Sequence, residues 1–285
     1  MAEQPFLRKI LVPIDGSSSS LMAEGIAALI AKRTGATVNV LHIMQELRLA
    51  YRLPSNVQDE LLSMIEQRAK QVVENAKALF SEENVKVEAE TMGSSDPAES
   101  ILEFSKDFDL IIMGSRGENE KDPYALGSIT KKVTRHAKCP TLIVKKVSSL
   151  ANFLVCLDGS ENSIKALNYG FNLAEKLGSR VTLLNVQERR LYESSPKAAE
   201  EMGEKIISRA VEFIGARSKD VKIDRKLSFG VPSDVIADVA EKENYDLIIL
   251  GSRGLGTVQR FLLGSVSDDV THKAKCSVLI VPASS

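Results

Sequence analysis

The chain has 285 residues, with 37 basic and 38 acidic side chains, a formal net charge of −1 and 44% hydrophobic residues. This balance is that of an ordinary globular protein and lacks the basic excess of a dedicated nucleic-acid binder. No apolar run approaches the roughly 18 residues of a membrane span, and Met1 to Lys9 lacks the apolar stretch of a secretory signal, so a cytoplasmic protein that engages neither nucleic acid nor membrane is expected.

Lys9 to Ile14 reads as a first strand, with Asp15-Gly16-Ser17 as the turn into a helix. Residues 19 to 34 place Leu21, Ile26, Leu29 and Ile30 at helical spacing, and Gly35 is a C-terminal stop. Thr37 to Ile43 is a β-branched second strand, followed by a long amphipathic helix from Asn56 to Phe80. Val85 to Thr91 alternates as a third strand closing at Gly93, and Asp96-Pro97 supplies a cap and an N1 proline for a third helix. Leu110 to Met113 is a fourth strand. Ser128 to Lys138 is a fourth helix, with Ile129, Val133 and Ala137 on one face and Lys131, Lys132 and Arg135 outward. Thr141 to Val144 is the fifth strand.

The second half repeats this order. Strands are expected at Phe153 to Leu157, Arg180 to Val186, Val221 to Phe229, Asp246 to Leu250 and Ser277 to Val281. Helices are expected up to Leu177, near Pro196 to Arg217, from Ser233 and from Ser265. Asp15 and Asp158 differ by 143 positions, as do Gly35 and Gly178, whereas Gly93/Gly230, Gly114/Gly251, Gly127/Gly264 and Cys139/Cys276 differ by 137. The first copy thus carries a net six extra residues, expected between Met44 and Met92. An indel confined to one segment is what duplication of a folded unit leaves. Two domains are expected, residues 1–147 and 151–285, each of ordinary domain size.

Strands alternating with helices imply parallel βαβ connections with right-handed crossovers. The expected fold class is α/β: two tandem open five-stranded parallel sheets with helices on both faces, Rossmann-like. Such sheets bind ligands at the carboxyl ends of strands where strand order reverses. If the first and fourth strands are neighbours, the loops after Ile14 and Met113 face one another across that crevice. The cysteines, Cys139, Cys156 and Cys276, show no metal or redox spacing and read as small buried hydrophobes. His42, His136 and His272 do not repeat in register and read as surface or helix-end residues, with no catalytic role.

The most specific signal is a glycine pattern that occurs twice. Gly114-Ser115-Arg116-Gly117, nine residues and Gly127-Ser128-Ile129 recur as Gly251-Ser252-Arg253-Gly254, nine residues and Gly264-Ser265-Val266. Each copy follows an apolar strand and precedes a helix, an arrangement that presents backbone N–H groups to phosphate. Taken singly, each glycine is explained by turn geometry, each serine and Asp15 by capping. The joint pattern, present twice, favours nucleotide. The chain lacks GxxxxGK[ST] and the GxGxxG of a dinucleotide site.

With Val12-Pro13-Ile14-Asp15-Gly16-Ser17, Leu157-Asp158-Gly159-Ser160, Leu41-His42-Ile43 and Arg135-His136-Ala137-Lys138-Cys139-Pro140, these motifs make the chain resemble the universal stress protein family (UspA-like), as a tandem two-domain member, end to end. The resemblance implies an adenine nucleotide alpha hydrolase-like sandwich that, in one branch of the family, holds ATP, with or without Mg²⁺. It implies that Ile14 and Ile43 form the adenine slot, and that Asp15 accepts from ribose hydroxyls or helps hold Mg²⁺. Gly114, Gly117, Gly127 and Ser128 would cradle phosphate, and Arg116 either adds charge there or faces solvent. Pro13, Met113 and Ile129 flank them. The matching second-copy residues are Leu157, Asp158, Val186, Leu250, Gly251, Arg253, Gly254, Gly264, Ser265 and Val266.

The acidic connector Glu118 to Leu126 disfavours a triphosphate, whereas Leu255 to Leu263 is close to what ATP-binding relatives carry, so the better ATP site is expected in the second copy. No hydrolytic centre is recognisable, so a regulatory, non-enzymatic role is expected, with a nucleotide-free interaction module or a slow ATP hydrolase as the alternatives. Thr141 to Val144 and Val278 to Val281 are short apolar strands that would be exposed at sheet edges. They are expected to pair with each other, making the chain a pseudo-dimer, with further association into a homodimer as a weaker expectation.

Overall fold

The computed structural model describes residues 6–45, 54–117, 126–215, 221–254 and 263–283. Its contacts divide the chain into two compact units. The first holds β1 (Lys9–Ile14), α1 (Ser18–Thr34), β2 (Thr37–Gln45), α2 (Ser55–Glu82), β3 (Val87–Ser94), α3 (Pro97–Phe104), β4 (Leu110–Gly114) and α4 (Ser128–His136). Its strands run in the order β3-β2-β1-β4. β1 is parallel to both β2 and β4, pairing Ile10 with Val38 on one side and with Leu110 on the other. The chain therefore leaves β1 in one direction and returns on its other side with β4. The order reverses between them, and the loops after Ile14 and Gly114 open on the same crevice.

The second unit repeats the plan with β6 (Asn152–Leu157), α5 (Glu161–Leu177), β7 (Arg180–Glu188), α6 (Arg189–Ser194), α7 (Pro196–Ile214), β8 (Ile223–Gly230), α8 (Pro232–Lys242), β9 (Leu247–Gly251), α9 (Ser265–Lys273) and β10 (Ser277–Val281). It also takes in β5 (Thr141–Val144). The order there is β5-β10-β9-β6-β7-β8. β6 sits between β7 and β9, as β1 does between β2 and β4. The last strands of the two copies pair as expected: β5 is antiparallel to β10, with Leu142 opposite Leu279.

Local chemistry explains these elements. The inner strands are buried on both sides (all of β4, β5 and β10), as parallel strands covered by helices must be. Ser17 and Ser160 cap α1 and α5, accepting the Ser20 and Ser163 amides, and Gly35 and Gly178 end those helices at φ 74° and 73°. Asp96 caps α3 by accepting the Glu99 amide, with Pro97 at N1.

Two details depart from the sequence reading. The Gln45–Ser94 and Glu188–Gly230 pairs occupy matching places, so Gly230 answers Ser94 rather than Gly93. α3 and α8 begin at Pro97 and Pro232, an offset of 135, and the offset returns to 137 at Leu110 and Leu247. Length differences therefore extend past Met92. A 3-10 turn, Ser105–Asp107, continues α3 so that the third helical segment has the same length in both copies. The connection from it to the next strand is two residues shorter in the first copy. The six-residue α6 was also not anticipated. It is too short for its periodicity to register.

Candidate functional site

In each copy the Asp-Gly-Ser turn after the first strand is built the same way. Gly16 and Gly159 have φ of 80° and 86°, a left-handed conformation open to glycine at little cost. The preceding aspartate folds back so that the Ser17 amide donates to Asp15 Oδ1 at 2.9 Å and the Ser160 amide to Asp158 Oδ1 at 3.0 Å. The Ser160 hydroxyl also donates to Asp158 Oδ1, at 2.6 Å. In both copies the second aspartate oxygen lies where a Cβ on the fourth residue of the glycine motif would be, 2.9 Å from it at Gly117 and closer still at Gly254. Glycine there leaves room for a carboxylate.

The first glycine has a different reason. A Cβ on Gly114 would lie 2.7 Å from the Ser19 carbonyl carbon and oxygen, and one on Gly251 would lie 3.0 Å from the Asn162 carbonyl carbon. Both are contacts with the first turn of the neighbouring helix, so Gly114 and Gly251 permit close helix–strand packing. The third glycine closes the loop. The Gly127 amide donates to the Ser115 carbonyl at 2.9 Å, and the Gly264 amide to the Ser252 carbonyl at 2.7 Å. The first turn of the next helix is then pinned back to the strand. Thr130 Oγ1 donates to the Gly114 carbonyl at 2.9 Å and Ser267 Oγ to the Gly251 carbonyl at 2.7 Å. Gly127 and Gly264 are the N-caps of α4 and α9, without a side-chain cap bond, and Ser128 and Ser265 are the first helical residues.

In the first unit these parts surround a cleft of about 700 Å³. Pro13, Ile14, Asp15, Ile43, Met113, Gly114, Arg116, Gly117, Gly127, Ser128 and Ile129, all eleven first-copy candidates, line it. Leu41, Ala98, Ile101 and Met113 make a buried apolar floor, with Ile43 packed against them. Ile129 was expected on the buried face of α4. It is 40% exposed and faces the cleft, while Thr130, Val133 and Thr134 form the buried face.

Other lining residues were not singled out from the sequence. His42, expected at the surface, stands within β2 opposite the end of β1 and contacts the Ile14 carbonyl through Nδ1 at 2.9 Å. Its counterpart Asn185 donates to the Leu157 carbonyl at 2.7 Å. The shared offset of 143 and the polar character of both residues were the available signal. Ile65 and Arg68 reach the cleft from α2. Lys132, read as pointing to solvent, lines the cleft and donates to Asp96 Oδ2 at 2.7 Å, with Glu99 Oε2 at 3.4 Å. The Lys132 hydrogen bond holds the Asp96 carboxyl below its ordinary range.

The second-copy candidates occupy the equivalent strand ends and first helical turn. Leu157 and Leu250 are buried, Val186 and Val266 pack on the core around Leu250, and Asp158, Gly251 and Arg253 are half-buried. Gly254 and Ser265 are exposed and Gly264 is buried. The Asn162 side chain donates to the Arg253 carbonyl at 3.2 Å, tying the glycine loop to α5. Residues 118–125 and 255–262, on which the expected contrast between the two connectors falls, lie outside the described residues.

Burial pushes the Cys139 thiol up to about 12 and Cys276 up to about 11, and raises Cys156 as well. Thiols held protonated are poor nucleophiles and poor metal ligands. Among the described residues, no group of three or more His, Cys, Asp or Glu side chains is placed to hold a metal ion, and no helix is long and apolar enough to cross a membrane.

The model of the universal stress protein family matches residues 7–145 and again 150–282. A Staphylococcus aureus (strain USA300) protein named as a universal stress protein is 34% identical over 137 residues, which cover 46% of this chain and 82% of that protein. The crystal structure of a universal stress protein from Archaeoglobus fulgidus superposes with a TM-score of 0.73 at 24% identity, covering 98% of this chain and 99% of the other. A Pseudomonas aeruginosa protein of unknown function superposes with a TM-score of 0.66 at 17% identity over 97% of this chain and 93% of its own.

Proposed function

The chain belongs to the universal stress protein family, matched once by each half, and we propose that it serves a stress response as a regulatory adenine-nucleotide-binding protein, with ATP as the ligand. One observation carries the reading: every first-copy residue selected from the glycine motif and the strand ends lines a single cleft at the point where strand order reverses. That is where open α/β sheets take their ligands.

The residues suit a nucleotide. An apolar floor of Leu41, Ile43, Ala98, Ile101 and Met113 fits a purine ring, and the Asp15 carboxylate fits ribose hydroxyls. The backbone of Gly117 and Ser128, at a helix start with no side-chain cap, offers N–H groups to phosphate, while Gly127 closes the loop beside them. Arg68 and Arg116 line the same cleft and supply positive charge. In the absence of a preformed cluster of metal ligands among the described residues, Mg²⁺ would arrive with the phosphates and draw on Asp15 at most. Turnover is proposed to be incidental, and the location is proposed to be cytoplasmic.

A second reading, a nucleotide-free interaction module, draws on Gly114 and Gly251, whose missing side chains are accounted for by helix packing. Protein purified without added nucleotide separates the two. Heat release followed by chromatography and mass spectrometry is expected to yield adenine nucleotide, up to two equivalents per chain. No released nucleotide, with no thermal shift on adding Mg-ATP, would favour the interaction module.

A further inference from the structure

Glu24 is a carboxylate buried within α1, with 2% of its surface exposed. Ser20, one turn earlier, donates its hydroxyl to Glu24 Oε1 at 2.9 Å and accepts the Asp15 amide at 3.4 Å. Ser20 also lines the cleft beside Asp15. Two hydrogen bonds thus lead from a buried acid to the backbone of the residue at the ligand's edge. In the second copy Leu167 stands at the matching place, fully buried, and the Ser163 hydroxyl turns to the Ser160 carbonyl at 2.8 Å. The same fold therefore accepts a leucine there. A buried acid is costly where an apolar residue would serve, so Glu24 is not explained by packing.

We propose that Glu24 acts on the first cleft through its charge, from its place behind Ser20 and Asp15, and that its protonation tightens the binding of an anionic nucleotide there but not in the second unit. The proposal rests on the nucleotide reading of the cleft. Ionised, Glu24 adds a second negative charge behind Asp15, in a poorly screened interior where it opposes an incoming phosphate. Protonated, it is neutral and that opposition disappears. Burial raises the Glu24 pKa to about 7, with the Asp15 charge adding to the rise and the Ser20 hydrogen bond opposing it.

The elements around α1 add few other charges. β1 from Ile10 to Ile14 and β4 from Leu110 to Gly114 carry none, and the buried face of α2 is Ala69, Val73, Ala76 and Phe80. β2 brings His42 to the Ile14 carbonyl, and α2 brings Arg68 to the cleft rim. Of these, His42 is the ionisable side chain bonded to β1, and its contribution must be separated from that of Glu24.

The test is Mg-ATP titration by calorimetry on the full chain, from about pH 6 to about pH 8.5, with Asp158→Asn to weaken binding at the second-copy candidate residues. Affinity at the first cleft is expected to fall roughly three- to tenfold as pH rises through the Glu24 pKa, with proton uptake on binding. Glu24→Gln and Glu24→Leu should flatten the profile at the high-affinity level, while His42→Asn, which installs the second copy's residue, should leave the fall in place. A slope that persists in Glu24→Gln, or is abolished by His42→Asn, overturns the proposal. Binding that is tight and flat with pH in the parent protein overturns it while sparing the nucleotide reading. Absence of binding at every pH overturns both.

Discussion

At the scale of the residue, Glu24 and the motif glycines make separable predictions. The unfolded chain ionises Glu24 near its ordinary value of 4.5, whereas the folded chain ionises it near 7. Between those values the unfolded state has released a proton that the folded state still holds, so stability falls as pH rises through that window and levels off above it. Glu24→Gln and Glu24→Leu should therefore raise the melting temperature at about pH 8, by a stability gain of at most ~3 kcal/mol. They should bring no gain from this source near pH 4, and circular dichroism melts at both values check this. The glycines divide by what their missing Cβ would meet. Gly114→Ala drives a methyl into the Ser19 backbone at 2.7 Å, which cannot turn aside, and is expected to cost about 1–3 kcal/mol. Gly117→Ala meets the Asp15 carboxylate at 2.9 Å, which can rotate away. It should leave the melting temperature nearly unchanged while lowering ATP affinity, so a large fall in melting temperature would show that this glycine is also a packing residue.

At the scale of the element, the helix starts and the pairing of β5 with β10 carry the weight. Ser17→Ala and Ser160→Ala each remove a side-chain acceptor for a first-turn amide, at a cost of about 1 kcal/mol. The second is expected to cost more, because Ser160 also donates to Asp158. Leu142 and Leu279, both fully buried, stand opposite each other across the antiparallel pair. Leu142→Ala and Leu279→Ala should each cost roughly 2–5 kcal/mol. The double variant should cost less than their sum, since the two share one contact, and denaturant unfolding of the three variants checks the coupling. Elements with a long, strong pattern were legible: β1, α1, β4 and β10 lie close to their sequence-read bounds. α4 was legible as a helix but not in its facing. Thr130 and Thr134 join Val133 on the buried side, with Thr130 bonded to the Gly114 carbonyl, and this turns Ile129 toward the cleft. Hydrophobicity alone cannot foresee that a threonine will be buried by a hydrogen bond to a strand end.

At the scale of the whole molecule, the two copies share a frame but differ in what they place on it. His42, Glu24 and Lys132 of the first copy correspond to Asn185, Leu167 and Asp269 of the second, so the two sites should not bind alike. The second copy is expected to hold ATP more tightly, with Asp158→Asn lowering total bound nucleotide more than Asp15→Asn. Equal losses would argue against unequal sites. Light scattering of the purified chain decides whether copies associate further. A mass of 31.1 kDa would limit pairing of the last strands to the single chain.

The duplication, the alternation of strand and helix, the Asp-Gly-Ser turn and the glycine spacing were all determined by the sequence itself. Each is local, or repeats at a fixed offset, and needs no knowledge of which strands are neighbours. Only the tertiary structure decided that His42, Ile65, Arg68, Asp96 and Lys132 meet around one cleft, and that a buried Glu24 lies two hydrogen bonds behind Asp15. Such convergence depends on strand order and on the rotation of each helix about its axis. Both are set by packing between segments far apart in the chain.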